Sequence, residues 1–217
     1  MDKISFLIFD LDDTLIHSNI DYGTMKQRIL NFFDDKSSLN ANVRIKELLD
    51  RLKVYPDKLQ KAYKIIEDME SGAAEKVQSI PNADATPDLL RDTKLHAAIL
   101  TNNSSQSTFK YLKNPKLQYL KDIGPIITRN DVSAMKPDPA GLLHILSRFN
   151  LRNTEVFFIG DSYIDAEAAH KAGIKFLLVN YRNLDLENFA NTPPYKIFSQ
   201  LSEVFLFIRK YIIDCVY

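Results

Sequence analysis

The sequence contains almost no cysteine. Cys215 is the single cysteine among 217 residues, so the chain cannot form an internal disulfide. This composition is typical of a reducing compartment, and we expect a cytoplasmic protein. Cys215 also stands beside the end of the chain, a position that argues against a catalytic thiol.

The sequence has no excess of either charge, because 28 basic residues balance 28 acidic ones. Proteins that bind nucleic acids or anionic membranes usually carry a basic excess or a basic stripe. We therefore expect neither a nucleic acid nor a membrane among the partners. The histidines, at positions 17, 96, 144 and 170, lack the spacing of metal ligands, which disfavours a histidine-based zinc site.

Long hydrophobic runs are missing as well. The last apolar stretch, 204–216, is interrupted by Arg209, Lys210 and Asp214 and is too short to span a bilayer. It predicts an amphipathic C-terminal helix instead. At the N-terminus no charged segment precedes an apolar one, so we expect no signal peptide.

What the sequence does contain is an alternation of short apolar runs with helical patterns. The runs at 5–9, 97–100, 125–128, 156–159 and 176–179 predict buried strands, and 195–198 predicts an edge strand. Helical periodicity appears at 104–112, 139–149 and 163–172. Strands that alternate with helices favour an α/β fold with a parallel sheet covered on both faces.

The region 19–83 has a different pattern. Its apolar residues recur at helical spacing, and Pro56 stands where a new helix could begin. No strand is evident there, and the region is too long for a loop. We therefore predict a small all-helical unit at 19–83, inserted into a core formed by 1–18 and 84–217.

Three acidic residues, Asp10, Asp12 and Asp13, follow the first predicted strand. Alternate side chains of an extended chain share one face, so Asp10 and Asp12 are expected to point into one cavity. Carboxylates packed together raise one another's pKa and cost free energy unless a cation neutralises them. The cluster predicts a divalent ion and one reactive aspartate, with a simple acidic turn as the alternative.

Polar residues also follow three later predicted strands. They are Thr101 and Ser104 at the start of a helix, Lys136 in a proline-rich loop, and Asp161 with Asp165. Open parallel sheets bind ligands at the carboxyl ends of their strands, and a helix N-terminus can bind an anion. Each residue has a simpler interpretation, as a helix cap, a solvated lysine or a turn. Their joint occurrence in this order favours a single site.

These segments resemble the four motifs of the haloacid dehalogenase superfamily of phosphohydrolases across essentially the whole chain. The motifs are Asp10-Leu11-Asp12-Asp13-Thr14, Thr101-Asn102, Lys136-Pro137, and Gly160-Asp161 with Asp165. The helical insertion is similar to the first type of cap, as in phosphoglycolate phosphatases, sugar phosphatases and β-phosphoglucomutase. Asp13 departs from the glycine of many members, but several nucleotidase-like members carry aspartate there, so we do not interpret it as loss of activity.

The resemblance implies a Rossmann-like parallel sheet and a Mg²⁺-dependent phosphatase that acts on a small phosphorylated metabolite through an aspartyl-phosphate. Asp10 would be the nucleophile and Asp12 the general acid and base, with Thr101 and Lys136 completing the catalytic set. The implied Mg²⁺ ligands are Asp10, the main-chain carbonyl of Asp12, and Asp161. Thr14 and Asp165 would support this site, and the phosphate would be bound by Leu11, Thr101, Asn102 and Lys136.

Other functions use similar residues. A dehalogenase has no task for an acid at Asp12, because a halide leaves without a proton. A phosphomutase would use the same residues and stays open as an alternative. A signalling receiver domain lacks the large insertion and the late Gly-Asp-x-x-x-Asp pattern. A non-catalytic phosphate-binding module is disfavoured by the complete acidic and basic set.

The segment that leads into the cap is expected to face the leaving group. It includes His17, Asn19, Tyr22 and Arg28, although an exposed turn is the more common place for a histidine such as His17. Because a cap must open and close, 19–22 and 83–86 are candidate hinges. We expect a monomer or a weak homodimer.

Overall fold

The computed structural model describes residues 3–33 and 43–214, so Cys215 lies outside the described residues. Eight strands and nine α-helices are described within these ranges. The strands are β1 Phe6–Phe9, β2 Ile16–His17, β3 Gln78–Ser79, β4 His96–Leu100, β5 Ile126–Ile127, β6 Val156–Gly160, β7 Lys175–Val179 and β8 Lys196–Phe198. The helices are α1 Tyr22–Leu30, α2 Ile45–Leu52, α3 Pro56–Ala73, α4 Thr86–Thr93, α5 Ser105–Tyr111, α6 Leu120–Ile123, α7 Ala140–Arg148, α8 Tyr163–Ala172 and α9 Leu201–Asp214.

Six of the strands form one parallel sheet in the order β5-β4-β1-β6-β7-β8. The first strand therefore lies inside the sheet, with β4 on one side and β6 on the other. Phe9, the last residue of β1, pairs with Ile99 and Ile159 on these neighbours. This register aligns the carboxyl ends of the three strands, so the residues that follow them meet at one edge of the sheet.

The sheet is covered on both faces, which confirms the predicted α/β architecture. Leu7 and Phe9 of β1 belong to one buried cluster, with residues of α4, α6 and α9. Phe6 and Ile8 belong to a second cluster, with residues of α7 and α8. Because both faces are buried, these strands are almost continuously apolar, as parallel strands usually are. Among the described helices, none is both long and apolar enough to cross a membrane.

Helices α1, α2 and α3 form a unit with its own buried cluster, which includes Met25, Ile29, Leu48, Leu49 and Ile66. We call these three helices the cap. They lie between β1 and β4 in the sequence, as the resemblance implied. The boundaries 19–83 stay a prediction.

The prediction that 19–83 holds no strand was wrong. Residues of β3 pair antiparallel with β2, with Ile16 opposite Ser79 and His17 opposite Gln78. Two-residue strands are too short to show the alternation by which a strand is recognised in a sequence, and only the distant partner defines them. The pair joins the chain where it leaves the core to the chain where it returns. It also places His17 in a strand rather than in a turn.

Candidate active site

A cavity of about 820 Å³ lies between the carboxyl edge of the sheet and the cap. Its core wall includes Asp10 and Asp12 after β1, Asn102 and Asn103 after β4, and Lys136, Asp161 and Asp165. Its cap wall includes Tyr22, Met25, Leu49, Tyr63 and Glu70. The structure therefore brings the predicted acidic residues and the predicted lysine to one enclosed space.

Lys136 is the centre of the charged network. Its side chain is 5% exposed, and its Nζ contacts Asp10 Oδ1, Asp165 Oδ1 at 2.7 Å and the Leu100 carbonyl at 3.3 Å. Burial disfavours the charged amine, but the carboxylates of Asp10 and Asp165 outweigh it and raise the pKa of Lys136. Lys136 is therefore a permanent cation at this position, and it offsets the charge of Asp10.

The carboxyl groups of Asp10, Asp12 and Asp161 have raised pKa values, chiefly because burial disfavours their charged form. Burial and the charge of Asp165 raise the pKa of Asp161 to about 8, against the opposing charge of Arg182. Burial and Asp165 likewise raise the pKa of Asp10 well above its usual value, although Lys136 opposes them. Such a set of buried acids is stabilised as carboxylates by a bound cation.

The donor set fits a divalent metal ion. Carboxylate oxygens of Asp10, Asp161 and Asp165 lie within 4.8 Å of one another, and all three residues are buried. Hard oxygen donors of this kind suit Mg²⁺. Asp165 is already engaged, because Oδ1 contacts Lys136 and Oδ2 accepts the Ser162 hydroxyl at 2.5 Å. Asp10 and Asp161 are therefore the carboxylates more available to a metal.

Asp12 has two differently placed oxygens. Its Oδ2 accepts from Asn103 Nδ2 at 2.6 Å and from the Thr101 hydroxyl at 3.4 Å. Its Oδ1 is buried and has no hydrogen-bond partner among the described residues. Burial raises the pKa of Asp12 to about 6, against the influence of the nearby Ser18 side chain and the charge of Lys136.

Three residues predicted to bind or support the phosphate lie in structural positions. The Asn102 side chain bridges the backbone of Lys136, donating to its carbonyl and accepting from its amide, both at 2.9 Å. Leu11 packs in the core, and its carbonyl accepts the amides of Leu15 and Ile16. Thr14 is fully buried, and its hydroxyl has no partner among the described residues. Their predicted roles toward phosphate and metal stay predictions.

The backbone conformation of Asp13 accounts for the glycine that many members of the family have at this position. Its φ of 55° lies in the left-handed region, which glycine adopts at least cost and aspartate tolerates. The side chain accepts from Arg182 at 2.9 Å and contacts His17 Nδ1 at 2.6 Å. Arg182 also contacts Asp161, so this arginine reaches two carboxylates of the site.

Sequence reasoning missed Arg182, Asn103 and the pair of Glu70 with Arg129. Glu70 of α3 is buried and contacts Arg129 Nη1, and it also accepts from the Ser104 amide at 3.2 Å and the Ser107 hydroxyl at 2.9 Å. The apolar residues of α3 recur at helical spacing, which predicts that this face of the helix packs inside the cap. An acidic residue on that face, Glu70, was the sequence signal that could have identified the ion pair.

The residues that were predicted to face the leaving group lie in different surroundings. Tyr22 lines the cavity, whereas Arg28 is on the exposed side of α1. Asn19 donates to the carbonyl of Lys76 at 3.1 Å, close to the point where the chain returns from the cap. The second candidate hinge, 83–86, forms a 3₁₀ turn at Ala83–Ala85 that leads into α4.

Residues 7–179 match the family model of the haloacid dehalogenase-like hydrolases. A haloacid dehalogenase-like hydrolase domain-containing protein of Arabidopsis thaliana is 28% identical over 78% of this chain and 67% of its own length. A phosphoglycolate phosphatase of Thiobacillus denitrificans is 36% identical, over 40% of this chain and 37% of that protein.

Among solved structures, a haloacid dehalogenase-like hydrolase from Bacteroides fragilis has a similar fold, with a TM-score of 0.74 and 23% identity. The match covers 93% of this chain and 100% of that one. Because the family model spans β1 through β7, it includes every motif that surrounds the cavity. The chain therefore belongs to the haloacid dehalogenase-like hydrolases, and its predicted resemblance to the phosphoglycolate phosphatase-like members is confirmed.

Proposed function

We propose that this protein is a Mg²⁺-dependent phosphatase that hydrolyses a small phosphate monoester through an aspartyl-phosphate on Asp10. The observation that carries the proposal is the juxtaposition of Asp10 and Asp161, which follow the neighbouring strands β1 and β6, with Lys136 from the loop after β5, and with Asp12 in the lining of the same cavity. The family membership and the phosphatase among the relatives support it.

The first step is phosphoryl transfer. A carboxylate oxygen of Asp10 forms a bond to phosphorus while the ester P–O bond breaks, and the departing oxygen takes a proton from Asp12. The pKa of about 6 for Asp12 suits this exchange, because the group can hold a proton and release it near neutral pH. Lys136 offsets the charge that gathers on Asp10 and on the phosphoryl oxygens.

The second step is hydrolysis of the aspartyl-phosphate. Asp12, now ionised, takes a proton from a water molecule whose oxygen attacks phosphorus, and the bond to Asp10 breaks to release inorganic phosphate. Mg²⁺ held by Asp10, the Asp12 carbonyl and Asp161 would supply charge neutralisation and orientation of the phosphoryl group. The network of Asp165 with Lys136 and Ser162 holds the lysine in place throughout.

The cavity supports a small substrate. The cap covers the carboxyl edge of the sheet, and Arg44, directly before cap helix α2, pairs with Glu167 of α8 at 2.9 Å. A volume of about 820 Å³ is of the size that takes a metabolite rather than a macromolecule. The substrate we propose is a small phosphorylated metabolite.

The test is release of inorganic phosphate from generic esters with Mg²⁺, compared with a chelator. Asp10→Asn keeps the shape of the side chain but removes the nucleophile, so turnover is expected to fall by on the order of 10⁴-fold or more. Asp122→Asn, an exposed aspartate on α6, is the matched control and is expected to keep wild-type activity. Substantial turnover by Asp10→Asn would contradict the nucleophile, and an isomerised ester without free phosphate would identify a mutase.

A further inference from the structure

We propose that Asn103 is a positioning residue for the general acid and base. Its side-chain amide fixes the orientation of the Asp12 carboxyl group, which exchanges the proton with the substrate. The inference rests on the proposed function, because it assigns a task to a residue of the same site.

The contacts of Asp12 are asymmetric. Asn103 Nδ2 donates to Oδ2 at 2.6 Å, and the Thr101 hydroxyl is 3.4 Å from the same oxygen. Two donors to the same oxygen restrict the carboxyl group of Asp12 to one orientation. The carboxyl group held in this way lines the cavity, and its other oxygen, Oδ1, is buried without a hydrogen-bond partner within the described part of the chain.

Asn103 is itself held in place before any substrate binds. The residue is 3% exposed, yet it lines the cavity. Its backbone amide donates to the Thr101 hydroxyl at 3.0 Å, and its carbonyl accepts from the Arg129 amide at 3.1 Å. A donor that is fixed on both sides can orient a carboxyl group without losing further freedom during the reaction.

A purely structural role for Asn103 predicts a different outcome. If the amide only held the loop after β4 together, its loss would slow every substrate alike. If it orients a general acid, the loss depends on the leaving group, because an alkoxide needs the proton and a nitrophenolate does not. The comparison uses kcat/KM, which reports the transfer to Asp10 and not the later hydrolysis, where Asp12 acts on every substrate.

The experiment compares Asn103→Leu, which has a similar shape and no donor, with wild type on ethyl phosphate and p-nitrophenyl phosphate. We expect kcat/KM for ethyl phosphate to fall about tenfold to a hundredfold, and that for p-nitrophenyl phosphate to change less than about threefold. Asn103→Ala is expected to give the same pattern and serves if the leucine does not fold. Asn130→Ala is the control, because Asn130 Oδ1 accepts the Ser105 amide at 2.9 Å on the other side of the loop.

An equal loss on both esters, or no loss on ethyl phosphate, would overturn the role of Asn103 and leave the phosphatase intact. Failure of the wild type to release phosphate from either ester would overturn the proposed function and this inference together. Thermal unfolding of each variant identifies a loss that comes from a destabilised fold.

Discussion

The contact of Arg182 with Asp161 leads to a prediction about metal affinity. Arg182 reaches Asp161 with one nitrogen and Asp13 with the other, so it places a positive charge on a carboxylate that we propose as a metal ligand. Mg²⁺ and the guanidinium would then compete for the negative charge of the same carboxylate. Replacing Arg182 with glutamine is expected to tighten Mg²⁺ binding.

The magnitude follows from the exposure of the two partners. The Asp161 side chain is 4% exposed, but that of Arg182 is 40% exposed, so solvent weakens the pair on the arginine side. A hydrogen bond to a charged group contributes about 1.5–3 kcal/mol, and an exposed ion pair contributes about 1 kcal/mol or less. We take an intermediate value of about 1–2 kcal/mol for the free energy of the Arg182–Asp161 pair that Mg²⁺ must overcome in wild type. Its removal corresponds to a roughly fivefold to thirtyfold lower Kd for Mg²⁺ in the variant.

The assay is calorimetric titration of the substrate-free protein with Mg²⁺. Arg182 lowers the pKa of Asp161, which is about 8 in wild type and therefore higher in the variant. The titration is repeated at increasing pH above 8 until the Kd of each protein no longer changes, so that the carboxylate is ionised in both. Arg209→Gln, at an exposed arginine that pairs with Asp92, is the control and is expected to leave the Kd unchanged. Weaker or unchanged Mg²⁺ binding by Arg182→Gln would refute the competition and make Arg182 a support for the ligand.

Two further predictions concern the acidic cluster. An added Cβ at Gly160 would lie 2.8 Å from Asp165 Oδ2, so Gly160→Ala is expected to displace Asp165 from Lys136 and to lower kcat by on the order of a hundredfold. The control is Gly72→Ala, whose Cβ would have open space around it and which is expected to leave kcat unchanged. A wild-type kcat for Gly160→Ala would contradict this prediction. The raised pKa values of Asp12, about 6, and Asp161, about 8, mean that the fold binds these protons more tightly than the unfolded chain does. These two groups therefore stabilise the metal-free protein most below about pH 4, and their contribution to the free energy of unfolding is expected to decline up to pH 8. The part that Asp12 contributes to this decline is roughly 3 kcal/mol. Urea unfolding with and without Mg²⁺ measures the free energy of unfolding across this pH range. A metal-free protein whose free energy of unfolding rises from pH 4 to pH 8 would argue against the prediction.

The sequence predicted the sheet and the motif residues because both have local signals. A strand buried on both faces is a continuous apolar run, and polar residues directly after it must lie at the carboxyl edge. Asp10 and Asp161 could be placed at one site on that basis, and Lys136 was predicted there because its loop follows the next strand, before any contact was known. Helices α4 and α6 were not predicted, and neither was the pair of β2 with β3, which is too short to show a period.

Arg182 and Asn103 could not be found in this way, because their roles depend on partners that are distant in the sequence. Arg182 is 169 positions from Asp13, and Asn103 is 91 positions from Asp12. An arginine after a strand is ordinarily solvated, and an asparagine before a helix is ordinarily part of a cap. Only the register of β1 against β4 brings Asn103 to the acid.

The contacts of Glu70 connect the cap to Asp12, the proposed general acid and base, in one network. Glu70, on cap helix α3, contacts Arg129, which donates from Nη1 to the carbonyl of Asn102 at 3.1 Å and from its amide to that of Asn103. The loop that receives these bonds supplies both donors to Asp12 Oδ2, and through Asn102 it holds the backbone of Lys136. A shift of α3 would therefore act on the loop that holds Asp12, the proposed general acid, and not only on the cavity wall. Glu70 and Arg129 also line the cavity. The same buried ion pair therefore belongs both to the cavity wall that a substrate would meet and to the contacts that support the loop holding Asp12.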